Sequence, residues 1–346
     1  VMAFPAAGIV NKYGVRNVGI VSLILAIVGG LAGVLSTSVP VFMASRVLEG
    51  AGMGIMGVVG VVAIAPWFAP SKRGVPLGIW AIWVTVAFMV GPALFTALFD
   101  ATGSWRPVWW GTLMFDVMVL VLFVALYRAP GFVFDGEERP VEIDGAARDE
   151  LPKPNIKAAV RMPVVWLLGT MMLVYAAASM SIEGFFSTYV YSELAVSLTL
   201  AGVIVTSGAV VGSVFAVLSG RISDRIHSRK IVLLVGWIAG IAYSWFVFSV
   251  DNLVLFVPII LLIGIGENAT SSMIYASTAE MMAPDAVAGA SAVLAFMQNI
   301  GMFVGTTALG GLVGVLGDWT LAAHCTAVPL YALGLVLTLL AWRKLV

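Results

Sequence analysis

Five ionisable side chains interrupt runs that are otherwise apolar: Arg46, Glu49, Asp116, Glu183 and Glu267. A charge in hydrocarbon surroundings costs about 3 kcal/mol or more, so it persists there only with a partner or a use. Arg46 and Glu49 are three residues apart, so on a helix they share a face and can neutralise each other. Arg46 could instead hold an anionic solute through charge-assisted hydrogen bonds. Glu183 stands beside Phe185, Phe186 and Tyr189, and Asp116 reads as a packing or interface carboxylate. Glu267 lies in Gly264-Ile265-Gly266-Glu267-Asn268 with no basic residue near its level. A carboxyl so placed is suited to loading and releasing a proton.

A second set of charges falls between apolar runs, in the stretch from Gly220 to Lys230 that carries Asp224, Arg225 and Arg229. An acidic residue at a helix end can pair with arginines and helix termini, which makes a latch that opens and closes. Other patterns carry no chemistry. Gly52-Met53-Gly54-Ile55-Met56-Gly57 spells a dinucleotide fingerprint, but it lies inside an apolar run without the preceding strand that the fingerprint needs. Asn268-Ala269-Thr270 is a glycosylation sequon buried in another such run. His227, His324 and Cys325 lack partners at metal-ligand spacing, so neither a metal nor a cofactor is expected.

These residues must be positioned by membrane helices. The 346 residues are 61% hydrophobic and 10% charged, against about half and a quarter in a soluble domain. That composition excludes a soluble enzyme and a disordered chain. Eighteen basic residues balance eighteen acidic ones, so no field gathers nucleic acid. Uncharged gaps of 29, 26, 27, 20, 32 and 24 residues follow Arg16, Arg73, Glu193, Lys230, Asp285 and Asp318. Each suffices for one crossing, which needs about 20 residues. Four more spans, around Val39–Phe68, Trp105–Tyr127, Val164–Tyr189 and Leu253–Ala279, bring the expected total to ten complete helices. Paired glycines four apart, Gly50/Gly54, Gly208/Gly212, Gly236/Gly240 and Gly301/Gly305, offer faces for close helix packing.

With the loop Asn11–Asn17 inside, alternating spans place sixteen basic residues in inner loops and only Arg106 in an outer one. The positive-inside rule then puts the Arg128–Pro163 linker and the C-terminus in the cytoplasm. That linker, with room for a short surface helix, separates 1–127 from 164–346. The two parts repeat each other. Asn11-Lys12-Tyr13-Gly14-Val15-Arg16 parallels Asp224-Arg225-Ile226-His227-Ser228-Arg229 at an offset of 213. Trp67-Phe68-Ala69-Pro70 parallels Met281-Met282-Ala283-Pro284, Gly91 parallels Gly305, and Trp105 parallels Trp319, all at 214. The offset places the start of the first half about fifty residues before Val1, so a first helix and most of a second are expected upstream.

On these motifs the chain resembles the major facilitator superfamily of secondary transporters. The family's loop signature, GxxxD(R/K)xGx(R/K)(R/K), is matched by Gly220, Asp224, Arg225, Arg229 and Lys230, with His227 where Gly is usual. The earlier copy keeps Lys12, Gly14 and Arg16, whereas Asn11 replaces the acid and Ala7 stands at the first Gly position, beside Gly8. A fourth-helix RxxxGxG pattern is present as Arg46 to Gly52. The fifth-helix Gly-Pro core is Gly91-Pro92, with Ala87 and Phe95-Thr96 replacing other family glycines. The resemblance implies an all-α polytopic membrane protein of two six-helix bundles, ten of whose helices are complete here, in which the first, fourth, seventh and tenth helices line a cavity.

For function, the resemblance implies alternating-access transport of a small solute across the plasma membrane, coupled to protons, by a monomer. Arg46, Glu49, Glu183, Glu267 and Tyr189 are then the substrate and coupling candidates. Asn11, Lys12, Gly14, Arg16, Gly220, Asp224, Arg225 and Arg229 are the gating candidates. Arg46 leans the solute toward a small organic or inorganic anion. Drug/proton efflux, and a non-transporting sensor, scaffold or inactive fragment, are the alternatives.

Overall fold

The computed structural model describes residues 6, 9–10, 12–68, 74–128, 130, 132–134, 140–142, 160–250, 252–282 and 284–341. Asn11, Ala7, Gly8, Lys72, Arg73, Ala69, Pro70, Ala283, Arg343, Lys344 and linker residues 143–159 lie outside them.

The helices, in chain order, are α1 (Val15–Val34), α2 (Val39–Ile64), α3 (Gly74–Thr102) and α4 (Arg106–Leu126). After the linker come α5 (Pro163–Glu193), α6 (Leu198–Ile226) and α7 (Arg229–Phe246). The next crossing has three parts: α8 (Phe256–Ile263), a π-helical turn (Gly264–Ala269) and α9 (Thr270–Met281). The last two crossings are α10 (Pro284–Leu316) and the pair α11 (Trp319–Cys325) and α12 (Ala327–Leu340). Nine of the described helical spans are long and apolar enough to cross a bilayer. The 29-residue α3, apolar from Val90 to Thr102, completes the expected ten. Breaks between them come from backbone chemistry. Gly14, Gly103 and Gly317 take φ of 79°, 64° and 66°, which stops a right-handed helix. Ser197 and Asp318 then cap α6 and α11 by accepting from Leu200 N at 3.2 Å and Leu321 N at 2.8 Å.

The described part of the linker contains a two-stranded antiparallel hairpin, β1 (Phe132–Phe134) and β2 (Pro140–Glu142), with Val133 opposite Val141. The short surface helix for which the linker has room has residues 143–159 open to it, and these lie outside the described residues. Trp67 packs edge-on against Phe132 with ring centroids 6.0 Å apart.

The chain forms two compact units, one of 1–84 with 98–153 and the other of 85–97 with 154–346. Segment 85–97, in the middle of α3, joins the second unit because Gly202 of α6 lets Pro92 and Thr96 approach closely. A Cβ on Gly202 would lie 2.9 Å from the Pro92 carbonyl oxygen. In the second unit, α5 and α10 meet along Gly301 and Gly305, where a Cβ would fall 2.2 and 1.9 Å from the Leu173 and Ala177 carbonyl oxygens. These approaches are the small-residue packing that lipid-embedded helices use in place of a hydrophobic drive. Gly236 and Gly240 make similar contacts, against Thr270 and Tyr331. Gly50 and Gly208 do not; each faces open space. The packed glycine of α2 is Gly52, two residues or about 200° round the helix from Gly50.

Large apolar side chains line the exterior, among them Met114, Phe303, Val315 and Leu340, the last 79% exposed. In water such a surface would aggregate; against lipid tails it is the required solvent match. Trp237, Tyr243, Tyr331 and Phe256 are the bulky side chains wholly buried in the second unit. Their hydroxyl and indole groups make that core polar at its centre.

Candidate functional site

In the first unit the chemistry gathers on α2. The Arg46 guanidinium forms an ion pair with Glu49 one turn later, each side chain 23% exposed. It also donates to Ser45 Oγ at 3.3 Å and to the Gly29 carbonyl at 3.4 Å. Two rings enclose it: Phe42 at 4.9 Å and Trp109 at 4.1 Å from its central carbon. Phe42 in turn meets Trp105 and Trp109 edge-on, at 5.9 and 5.7 Å. Gly33 makes room for this arginine, because a Cβ there would sit 2.1 Å from a guanidinium nitrogen. Asp116 on α4 is near enough for its charge to act on Glu49. The arrangement holds one cation by an ion pair and two π faces, contacts that favour a guanidinium over an ammonium.

In the second unit the centre is Glu267, in the π-helical turn and 2% exposed. The Tyr243 hydroxyl on α7 donates to its Oε1. Tyr243 has a single hydroxyl hydrogen, so Tyr331 on α12, 2.8 Å away, is the donor to Tyr243. On α5, Glu183 is partly exposed and Tyr175 is buried. Trp237 braces Tyr331 edge-on at 6.0 Å and donates to Thr338 Oγ1 at 2.8 Å. Tyr189 is buried, and its hydroxyl reaches the carbonyls of Phe248 at 3.0 Å and Val250 at 3.2 Å.

The loop signature forms a third site. Arg229 opens α7 and bridges two acids, Asp224 at 2.7 Å and Glu280 at the end of α9 at 2.6 Å. Glu280 had no place in the sequence reading, although it directly precedes the repeat element Met281-Met282. Arg225 is exposed in the last turn of α6, and its carbonyl lies 3.1 Å from His227 Nδ1. Gly220 faces open space. His227 takes a left-handed φ of 51°, the conformation that makes glycine usual at this position. Gly14 occupies the equivalent position of the first copy with φ 79°. There Arg16 donates to the Val124 carbonyl at the end of α4 at 3.3 Å, and Lys12 lies over the Tyr13 ring at 5.1 Å. In α3, Gly91 precedes Pro92, whose carbonyl accepts from Thr96 Oγ1 at 2.8 Å.

Nine membrane-length apolar helices among the described residues, with the shorter apolar run of α3, define a multi-pass helical membrane protein. The family model described as Major Facilitator Superfamily matches residues 1–306 and 170–345. The chain belongs to that superfamily, whose members are transporters rather than enzymes. It is similar to the uncharacterized MFS-type transporter Rv1250 of Mycobacterium tuberculosis, 32% identical over 120 residues, 35% of this chain and 20% of that one. It is also similar to the probable nitrate/nitrite transporter NarK2 of the same organism, 26% identical over 228 residues, 61% of this chain and 51% of the relative. The matched stretch thus spans about half or less of these curated relatives' length. In fold, it resembles the inward-facing, unoccupied crystal structure of a bacterial homolog to the human lysosomal transporter Spinster. That likeness has a TM-score of 0.66 and 18% identity, covering 99% of this chain and 84% of the other.

Proposed function

We propose that the protein is a proton-coupled secondary transporter of a small anion, working by alternating access in the plasma membrane. The observation that carries this reading is the separation of charge between the clusters. Arg46 supplies a cation able to meet an anionic solute, while Glu267 is a buried carboxyl that accepts from the Tyr243 hydroxyl and, among the described residues, forms no ion pair. Solute and proton thus have different addresses. The likeness to a probable nitrate/nitrite transporter supports the anion. The rings of Phe42 and Trp109 already hold the protein's own cation, which weighs against cationic-drug efflux. Two bundles, 1–127 with four complete helices and 164–346 with six, would rock about the solute, with 128–163 and the C-terminus cytoplasmic and the protein a monomer. The Asp224–Arg229–Glu280 bridge would latch one conformation at the cytoplasmic side.

The test is uptake into proteoliposomes of the full-length protein, using a panel of labelled anions that includes nitrate and nitrite. Glu267→Gln should abolish accumulation driven by a pH gradient yet leave solute exchange intact, whereas Arg46→Ala should impair both. Accumulation by Glu267→Gln equal to the parent's would move proton coupling elsewhere.

A further inference from the structure

The Arg46–Glu49 pair is neutral as it stands, and that sets a condition on any anion that meets it. Glu49 backs onto α1 so closely that a Cβ on Gly29 would fall 2.5 Å from the Glu49 nitrogen and 2.9 Å from its Cβ. A guanidinium has five N–H donors. In Arg46, Nε serves Ser45 Oγ, Nη2 serves the Gly29 carbonyl, and Nη1 meets Glu49 Oε2. Two donors therefore have no acceptor among the described residues, on a side chain still 23% exposed. Glu49 Oε2, for its part, is buried and has the charge contact but no hydrogen bond. The pair thus keeps donors in hand for a second acceptor, and holds a carboxylate oxygen that no hydrogen bond ties down.

Charge decides what can join it. The other charged groups on α1 and α4, the helices packed around the pair, are Arg16, Arg106 and Asp116. Arg16 lies thirteen residues, or about 20 Å, along α1 from Gly29, where it donates to the Val124 carbonyl. Arg106 is exposed and lies over the Trp105 ring at 5.2 Å. Asp116, whose charge does act on Glu49, is itself acidic. An anion added to the neutral pair would leave one negative charge uncompensated, which apolar surroundings penalise heavily. A proton on Glu49 restores the count, because the neutral carboxyl gives up the guanidinium to the anion.

We infer that Glu49 is the internal competitor of a small monovalent oxoanion at Arg46, and that it takes one proton as the anion displaces it. The ion pair, one anion and one proton become an Arg46–anion pair beside a neutral Glu49. The carboxyl O–H is the one bond formed, the proton comes from the water that brings the anion, and net charge is unchanged. The inference rests on the reading of Arg46 as the anion's partner. Glu267 keeps its place as a proton carrier in the other unit, and Glu49 adds a second proton address that travels with the solute.

The experiment is equilibrium binding of nitrate, nitrite and acetate to the full-length protein in nanodiscs, with proton uptake read by an indicator dye in weak buffer. The parent should take up about one proton for each anion bound, and its Kd should weaken about tenfold per pH unit once Glu49 is ionised, since binding and protonation are reciprocal. Glu49→Gln should bind about tenfold more tightly at neutral pH, without proton uptake and without pH dependence. Glu49→Asp keeps a carboxylate and should keep the uptake, as should Asp116→Asn. Binding by the parent without uptake, or undiminished uptake in Glu49→Gln, would overturn the role of Glu49 and leave the anion reading standing. Uptake lost in Glu267→Gln or Asp116→Asn but kept in Glu49→Gln would move the proton to that residue and overturn the inference as well. If none of the three anions binds the parent, or Arg46→Ala binds them as tightly, the anion reading at Arg46 falls and takes this inference with it.

Discussion

The α1–α2 pair and the α7–α8/α9 crossing pair are the same construction carrying different chemistry. In the first, a Cβ on Gly52 would meet the Ser22 carbonyl at 2.5 Å and the Ala26 nitrogen at 2.7 Å. In the second, Gly266 stands against Gly240, where a Cβ would fall 2.8 Å from its nitrogen. Gly266 and Gly240 lie 214 residues after Gly52 and Ala26, the offset of the repeat. Backbone contact has thus been kept at matching positions. The charges have not: Arg46 and Glu49 correspond to Ile260 and Ile263, while Glu267 corresponds to Met53. One pair neutralises itself with an ion pair and aromatic faces; the other satisfies a carboxyl through tyrosine hydroxyls. Helix approach constrains a few small residues tightly, and leaves the facing positions free to take whatever chemistry transport requires.

The comparison can be broken most sharply at Arg46. Arg46→Ala leaves Glu49 half-buried without its cation, and should lower the stability of the first unit by about 3 kcal/mol. Arg46→Ala with Glu49→Ala together should cost less than the arginine change alone, as read by thermal unfolding in detergent. Next, Gly52→Ala and Gly266→Ala should destabilise by similar amounts, about 2 kcal/mol each, since both Cβ atoms would meet backbone. A large loss from one and none from the other would show that the two contacts are not equivalent. The turns offer a smaller contrast of opposite sign. Gly14→Ala should cost about 1 kcal/mol, whereas His227→Gly should be neutral or stabilising, because both positions have positive φ. The smallest effect belongs to Asp224→Asn. Asp224 is 65% exposed, so its pair with Arg229 contributes less than about 1 kcal/mol, and turnover should slow by less than about fivefold with solute affinity unchanged. Equal counterflow rates for variant and parent would remove the latch role.

The spans and the charged loop between α6 and α7 were legible in the sequence because both follow from where charges can stand in a bilayer. Gly301 and Gly305 were legible because spacing by four is a direct image of a helix face. Gly52 was hidden behind the more regular Gly50/Gly54 pair. Tyr243 and Tyr331 were not legible as site residues, since a tyrosine in an apolar helix looks like packing until its hydroxyl finds a partner 24 or 88 residues away. The aromatic enclosure of Arg46 draws Trp109 from a separate helix, which spacing along one helix cannot reveal. Glu280 was overlooked because it ends a span and so does not stand out as an intramembrane charge.

The π-helical turn at Gly264–Ala269 gives the repeat a hidden twist. Phe42 aligns with Phe256 before it, and Trp67 with Met281 after it, with no gap between. Yet a π turn spends one more residue per revolution than an α turn, so an α turn in its place would swing everything beyond it by about 100°. Two stretches that align residue for residue therefore present different faces past this point. Symmetry copied from α2 would aim Glu280 away from its ion pair with Arg229, and a repeat-based alignment of the two halves carries a rotational error that no gap penalty can detect.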